Sequence, residues 1–538
     1  MIHARFWIAA LALCWLTAPV WADPAPKEDA RQSRADARAL AAKIDELIAA
    51  RWAADKVTPA PAADDGPFLR RLSLDVIGRI PSVSESRRFL SDSASDKRER
   101  ALERLLDSPG YINNFSNIWR DLLLPEAVAD FQQQFLSASI ERWLRKEFTD
   151  NVSFDRMVRD LLTMPLKMNQ QQMFAVYNGN SGDVSPLAFY QSKKGKPEDL
   201  AASTARLFLG VRLECAQCHN HPFGRWTREQ FWSQAAFFGG IRAQGDINNG
   251  IYRPLSEVTD RRELPIPNTE RVAQARFLDN KEPQWRYKVS ARNTLADWMT
   301  APDNPFFARA AVNRLWAHFF GVGIIEPVDD FNDENKPSHP ELLDELARQF
   351  VRHGYDYRFM IRAITLSKTY QLSSVHPDAK PPDVRLFARM SIKGLSQDQL
   401  HDSFLMATGT PKQSNRRQFG FNSPQGNFEA KFTSQDKRTE YQTSIPQALA
   451  LMNSPVIANA THPSRSEFLT AVVNAPFLDT DGRIETLCLA TLSRKPRPDE
   501  ADKYRRYVEK GGASKDQKAA LADVFWALLN SPEFFLNH

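Results

Sequence analysis

"DNPFFARAAVNRLWAHFFGVG", residues 303–323, reads as a complete helix with its punctuation. Asn304 suits the cap, since its side-chain carbonyl accepts from the first unsatisfied backbone N–H groups. Pro305 fits the first turn, where a missing N–H costs nothing. Gly321 then ends the helix as a residue free to turn left-handed. The same grammar recurs on both sides. Leu40, Ile44, Leu47 and Ile48 share one face of a helix expected over 34–54. Ser82 with Glu85, Thr227 with Gln230, Ser338 with Glu341 and Ser396 with Gln399 have the spacing of capping boxes. A helix opening at Ser95 closes before Pro109, and another spans 197–209 with Leu200, Leu207 and Phe208 inward. Phe231, Trp232 and Phe238 mark the apolar side of the helix that Thr227 opens. The fold class expected is mainly α.

One interval departs from that pattern. Residues 246–289 are rich in proline and hold short β-type runs such as Trp285–Val289, which predicts a connector with a few strands. It separates two helical domains, 67–245 and 290–538. Residues 23–66 precede them as an N-terminal helix and a linker, "TPAPAADDGP" at 58–67, and residues 169–186 read as a long surface loop. No tandem repeat of solenoid period is present.

The start of the chain has the form of a secretory leader. Arg5 precedes an apolar run from Phe6 to about Val20, and Val20-Trp21-Ala22 offers cleavage after Ala22. The run is too short to span a bilayer, so the expected location is periplasmic or otherwise secreted, without stable membrane insertion. Cleavage removes Cys14 and leaves Cys215, Cys218 and Cys488 of four cysteines, too few for a disulfide-stapled scaffold. A formal charge of +5 over 538 residues, spread among nearly as many acids as bases, argues against nucleic-acid binding.

"ECAQCHNHPFGRW", residues 214–226, carries the chemistry. In Cys-x-x-Cys-His, the thiols of Cys215 and Cys218 can add to the two vinyl groups of a haem, while His219 ligates iron as the proximal axial ligand. Attachment of haem c takes place outside the cytoplasm, where the leader directs the chain. His221 would then orient the site through a hydrogen bond behind the first ligand. Two other readings stay open. Cys215, Cys218, His219 and His221 could bind zinc, or the two cysteines could close a disulfide with no cofactor.

Three stretches together resemble a known family. "LFLGVRLECAQCHNHPFGRWTREQFWSQAAFF" is similar to the hallmark of a planctomycete cytochrome-associated domain of secreted proteins. The run that begins "NPFFARAAVNRLWAHFFGVG" and continues to "TYQLSS" resembles the C-terminal partner domain that usually follows it, and "TSIPQALALMNSP" resembles a later signature of that partner. The resemblance covers most of residues 40–535. It implies the two-domain helical architecture and assigns no activity.

The remaining candidates are weaker. Met168, Met173, His339 and His401 are the candidates for a distal haem ligand, and the sequence does not choose among them. Asp330, Asn332, Glu334 and Glu341 fall in a calcium-loop register, but Asn335 replaces the turn glycine and prolines interrupt the loop, so a solvated acidic loop is expected. His318 reads as a packed core histidine, Asn313-Arg314 as a structural pair, and Cys488 as a small buried hydrophobe. Nucleophile-elbow, phosphate-loop, dinucleotide and His-Glu-x-x-His patterns are missing. The function expected is a secreted c-type haem protein for electron transfer or haem-dependent redox chemistry, with a redox protein or a secreted enzyme as partner. The alternative is a non-redox binding or scaffold protein whose Cys/His cluster is structural.

Overall fold

The computed structural model describes residues 27–129, 131–166, 184–221, 224–243, 254–411 and 455–538. The leader, Met168, Met173 and the signature at 443–455, up to its last residue, lie outside them. The described chain is mainly helical, with strands confined to three two-stranded antiparallel sheets. No helix among the described residues is long and apolar enough to cross a membrane.

Most of the helix grammar is realised. The Phe307–Phe320 helix ends at Gly321, φ +82°, as expected, but its start differs: Phe306 takes the cap position, Pro305 lies before the first turn, and Asn304 Oδ1 accepts from the N–H groups of Phe306 and Phe307 at 2.9 and 3.0 Å from the turn ahead of the helix. The boxes at Ser82, Thr227 and Ser396 all form. Leu40, Ile44 and Ile48 are buried along the Lys27–Asp55 helix, which packs on the Tyr357–Leu366 helix.

Four local expectations need correction. The Ser338 box does not form: Ser338 Oγ donates to the Ile324 carbonyl, His339 takes the cap position, and Pro340 opens the helix. The Lys97–Leu106 helix is preceded by Asp96 rather than Ser95. Trp285–Val289 forms no strand, because Lys288 is left-handed at φ +56° and the Val289 N–H turns back to the Arg286 carbonyl. Trp285 is used for packing instead, beside Phe237 and under the Arg262 guanidinium. Ile241–Ala243, ahead of the expected connector, pairs with Leu255–Glu257 within it, and Glu263–Pro265 pairs with Val272–Gln274. Finally, 58–64 is no loose linker. Ala60 and Ala63 donate to the carbonyls of Ala388 and Gln371, and Ser373 donates to that of Pro61, so the strip is stitched to residues 371–388.

Two apolar cores emerge. The larger one runs from Ala37 to Met390 and joins both sides of the connector; the smaller gathers Leu395 to Phe535 with Leu74 and Ile80. The Asp65–Ile77 helix belongs to both and is buried almost all round, although it carries Arg70, Arg71 and Asp75. A charge inside an apolar core must be paired and hydrogen-bonded to be tolerated. Asp75 accepts from Lys393 Nζ and Asn537 Nδ2, both at 2.7 Å, and from the Tyr370 hydroxyl at 2.8 Å. Arg70 donates to the carbonyls of Thr491, Glu533 and Phe534, and Arg71 to that of Tyr370. These bonds tie the start of the chain to its last helices.

Candidate functional site: the Cys215 turn

The turn is reached through a helix that is made to stop. The Pro197–Thr204 helix widens into a π turn, Ala205–Leu209, and ends at Gly210, φ +69°. Val211 and Leu213 are buried, and Glu214–Ala216 then closes a short 3₁₀ turn with Ala216 inward. The Ala216 N–H bonds to the Leu213 carbonyl at 2.8 Å, and that of Gln217 to Glu214 at 3.2 Å. Cys215 lies in this 3₁₀ turn, Cys218 and His219 follow it, and all three are exposed.

The floor beneath them is fixed. Trp232 Nε1 donates to the Gln217 carbonyl at 3.1 Å, and the Arg228 N–H to Asn220 Oδ1 at 3.0 Å. The His221 N–H donates to the Trp226 carbonyl, with Trp226 buried. The imidazole of His221 is half-buried beside Gly224, where an added Cβ would meet its Nδ1 at 3.1 Å. His219 Nδ1 lies 2.7 Å from the Asn220 carbonyl. A carbonyl only accepts, so this contact requires the proton on Nδ1.

Two thiols and one imidazole are the donor types that a thioether-bound haem needs. Both thiols are free, and the hydrogen bond at Nδ1 is the kind that fixes a metal-ligating histidine. Phe231, Trp232 and Phe238 do not line the outside of the turn, since they are buried in the core. Nor do the four Cys and His side chains converge: among the described residues no group of three or more His, Cys, Asp or Glu gathers as a cation would require.

The second helical region supplies a part of the site that the sequence left unnoticed. Its acidic loop folds onto the approach to the turn. Arg212 donates to Asp329 Oδ1 from Nε at 2.8 Å, and its Nη2 lies 2.6 Å from the same oxygen. The Phe331 N–H donates to the Gly210 carbonyl at 2.9 Å, and Phe331 lies so close that a Cβ on Gly210 would meet its ring at 2.7 Å. Arg225 faces Asp333 at 3.7 Å, and Trp226 approaches Phe306. Half-buried Glu214 lies 3.6 Å from Arg206; burial pushes its carboxyl above the usual range despite that cation.

The calcium-like register is consumed internally. Asn332 Oδ1 accepts from the N–H groups of Glu334 and Asn335, its amide donates to Asp330, and Asn335 donates to the Asp330 carbonyl. Glu341 is exposed on the next helix. Of the distal-ligand candidates, His339 is buried against Phe387 and Ser338, away from the turn's own contacts, and His401 stands in the Gln397–Thr408 helix. His318 packs against Phe115 and Phe319 and its Nε2 meets the Asp75 carbonyl. Asn313 bonds to the backbone of Ile325, and Arg314 donates to the Arg206 carbonyl rather than to an acid. Cys488 is fully buried, its thiol pushed up to about 12 by burial.

Comparison with known families agrees with this order of parts. Residues 43–243 match PSCyt2, described as a protein of unknown function (DUF1549), and residues 291–445 match PSD1, a protein of unknown function (DUF1553). The chain thus carries the two domains in sequence, consistent with the planctomycete cytochrome-associated two-domain family. No curated protein and no solved structure gives a significant match.

Proposed function

We propose that the chain is a secreted c-type haem protein, with Cys215 and Cys218 holding the haem by thioether bonds and His219 as proximal ligand. One observation carries the reading: two free thiols and an imidazole whose Nδ1 faces the Asn220 carbonyl stand exposed between Cys215 and His219. The haem would supply a one-electron redox centre. The protein's part is to hold the two sulfurs at the spacing of the vinyl groups, to fix the His219 tautomer through Asn220, and to leave the attached group open to a redox partner. His221, held beside Gly224, is an orienting residue.

The test is expression with the leader in a host that matures cytochromes c, followed by haem staining after denaturation. Cys215→Ala and Cys218→Ala should each leave a weakened adduct, and the double substitution none. His219→Ala should change the spin state and potential of any haem retained, because the axial ligand tunes the iron directly. His221→Ala should act less, by about 10- to 100-fold in site affinity, as changes behind the first ligand do.

A second reading draws support from the aromatic side chains. With Phe231, Trp232 and Phe238 inside the core, the turn has little apolar cover for a haem face. A non-redox binding or scaffold protein, using the pair as a disulfide or with the histidines as a zinc site, accounts for that exposure. Equal, severe effects of His219→Ala and His221→Ala on metal content, in a protein without a haem band, would favour it.

A further inference from the structure

We propose that the corner between the Phe131–Thr149 and Phe154–Thr163 helices is a proton-operated joint, closed while Glu147 carries a proton and loosened when Glu147 gives it up. The inference is independent of what the cysteine turn holds. It starts from a helix face. Leu136, Ile140, Trp143, Leu144 and Glu147 follow one another at helical spacing, and all are buried. Glu147 is 7% exposed, and its Oε2 is sealed from water without a hydrogen-bond partner. A carboxyl group buried in that way takes a proton rather than stand as an unpaired charge.

The surrounding charges reinforce this. Asp160 on the second helix and Asp150 at the end of the first both oppose a negative charge on Glu147. Lys146 and Arg156 act the other way, but Lys146 Nζ lies 2.6 Å from Asp150 and Arg156 Nε 3.9 Å from Asp160. Arg159 is turned to Asp297 and Thr300, and Asp155 acts on Asp160 and Tyr355. The elements packed on the first helix spend their charges among themselves, Arg120 with Asp121, Glu141 and Asp398, and Lys193 with Glu126. Tyr111, against Phe148, is kept neutral by burial. Burial first, and then Asp160, holds the Glu147 carboxyl up at about 7.

The backbone of the same residue closes the corner. Asn151 is left-handed at φ +48°, and the Val152 N–H returns to the Glu147 carbonyl at 2.9 Å. The second helix in turn links the two regions, since Arg159 bonds to Thr300 Oγ1 and the Leu162 carbonyl accepts from Arg292 at 2.8 Å. In the unfolded chain the Glu147 carboxyl titrates near 4.5, so between pH 4.5 and 7 the folded state keeps a proton that the unfolded state has released. Stability from this group is therefore largest below pH 4.5 and falls as pH rises to about 7.

The experiment compares the full chain with Glu147→Gln, which fixes the neutral form, by urea unfolding and amide hydrogen exchange at pH 5 and pH 8. The folding equilibrium constant of the parent, divided by that of the variant, should fall about 30- to 100-fold between the two pH values. At pH 8 the Val152 amide should be less protected in the parent than in the variant, by more than the amides of the Phe307–Phe320 helix are. Should Glu147→Gln fail to fold, Asp160→Asn takes its place: with that acid gone Glu147 ionises more easily, and the loss between pH 5 and pH 8 should be smaller than in the parent. A ratio that falls less than about tenfold, a Val152 amide equally protected in both proteins, or an undiminished loss in Asp160→Asn overturns the inference.

Discussion

Asp75 and Cys215 both stand among charged side chains, and the two surroundings treat them in opposite ways. Asp75 is wholly buried, and three donors from distant parts of the chain satisfy its carboxylate. Lys393, just as buried, spends its other hydrogen bonds on the carbonyls of His318 and Phe319. Around Cys215 the charges pair with one another at the rim, Arg212 with Asp329 and Arg206 with Glu214, while the thiols and His219 face outward. A polar group whose partners are all supplied by the fold has no capacity left for a ligand. One that is held by its backbone while its side chain is exposed retains that capacity. The comparison thus separates a structural knot from a candidate reactive site without reference to residue type.

The largest effect is expected from unpairing the knot. Lys393→Ala strands a buried carboxylate, and the expected loss is about 3–5 kcal/mol of stability, read from urea unfolding. A loss below about 1 kcal/mol would mean that water reaches Asp75.

His339 provides a pH-dependent counterpart. Burial lowers its pKa from 6.5 to about 4, with the Arg51 charge adding to the effect. The unfolded chain therefore binds the proton more readily over that interval. Stability should be fully present above pH 6.5 and should fall as pH drops toward 4. Between pH 7 and pH 4.5 the parent should lose about 2 kcal/mol more than His339→Phe. Equal losses in the two proteins would show that His339 is accessible in the folded state.

Gly210→Ala probes the junction of the two regions. A left-handed backbone costs a residue with a Cβ about 1–2 kcal/mol, and here Phe331 must also move. The midpoint of unfolding should fall accordingly. The smallest effect belongs to the turn itself. Cys215→Ser and Cys218→Ser should each change stability by under about 0.5 kcal/mol, as exposed substitutions do. A larger cost would make the turn part of the structure and blur its contrast with the knot.

The sequence made the helices legible because their signals are local. A capping box and a terminal glycine each act within a turn of the helix end they mark, as Ser396 and Gly409 do for the Gln397–Thr408 helix. The Cys-x-x-Cys-His spacing was legible for the same reason. What escaped was set by distant partners. Ser338 looked like a cap until the Ile324 carbonyl claimed its hydroxyl, and "TPAPAADDGP" looked loose because its partners lie some 300 residues on. The acidic loop could be read only as solvated, because nothing in "DDFNDENK" points to Arg212 or Gly210. The knot had one visible clue: Arg70, Arg71 and Asp75 interrupt an otherwise apolar helix, and charges on a face that must be buried imply buried partners.

The central claim is that the exposed turn carries a covalent group. The most direct measurement is the intact mass of the processed chain after denaturation, from a host in which a control cytochrome c is matured. The account predicts the mass of the chain plus one haem, lost when Cys215 and Cys218 are both replaced by alanine. The mass of the bare chain, beside a fully matured control, would contradict it.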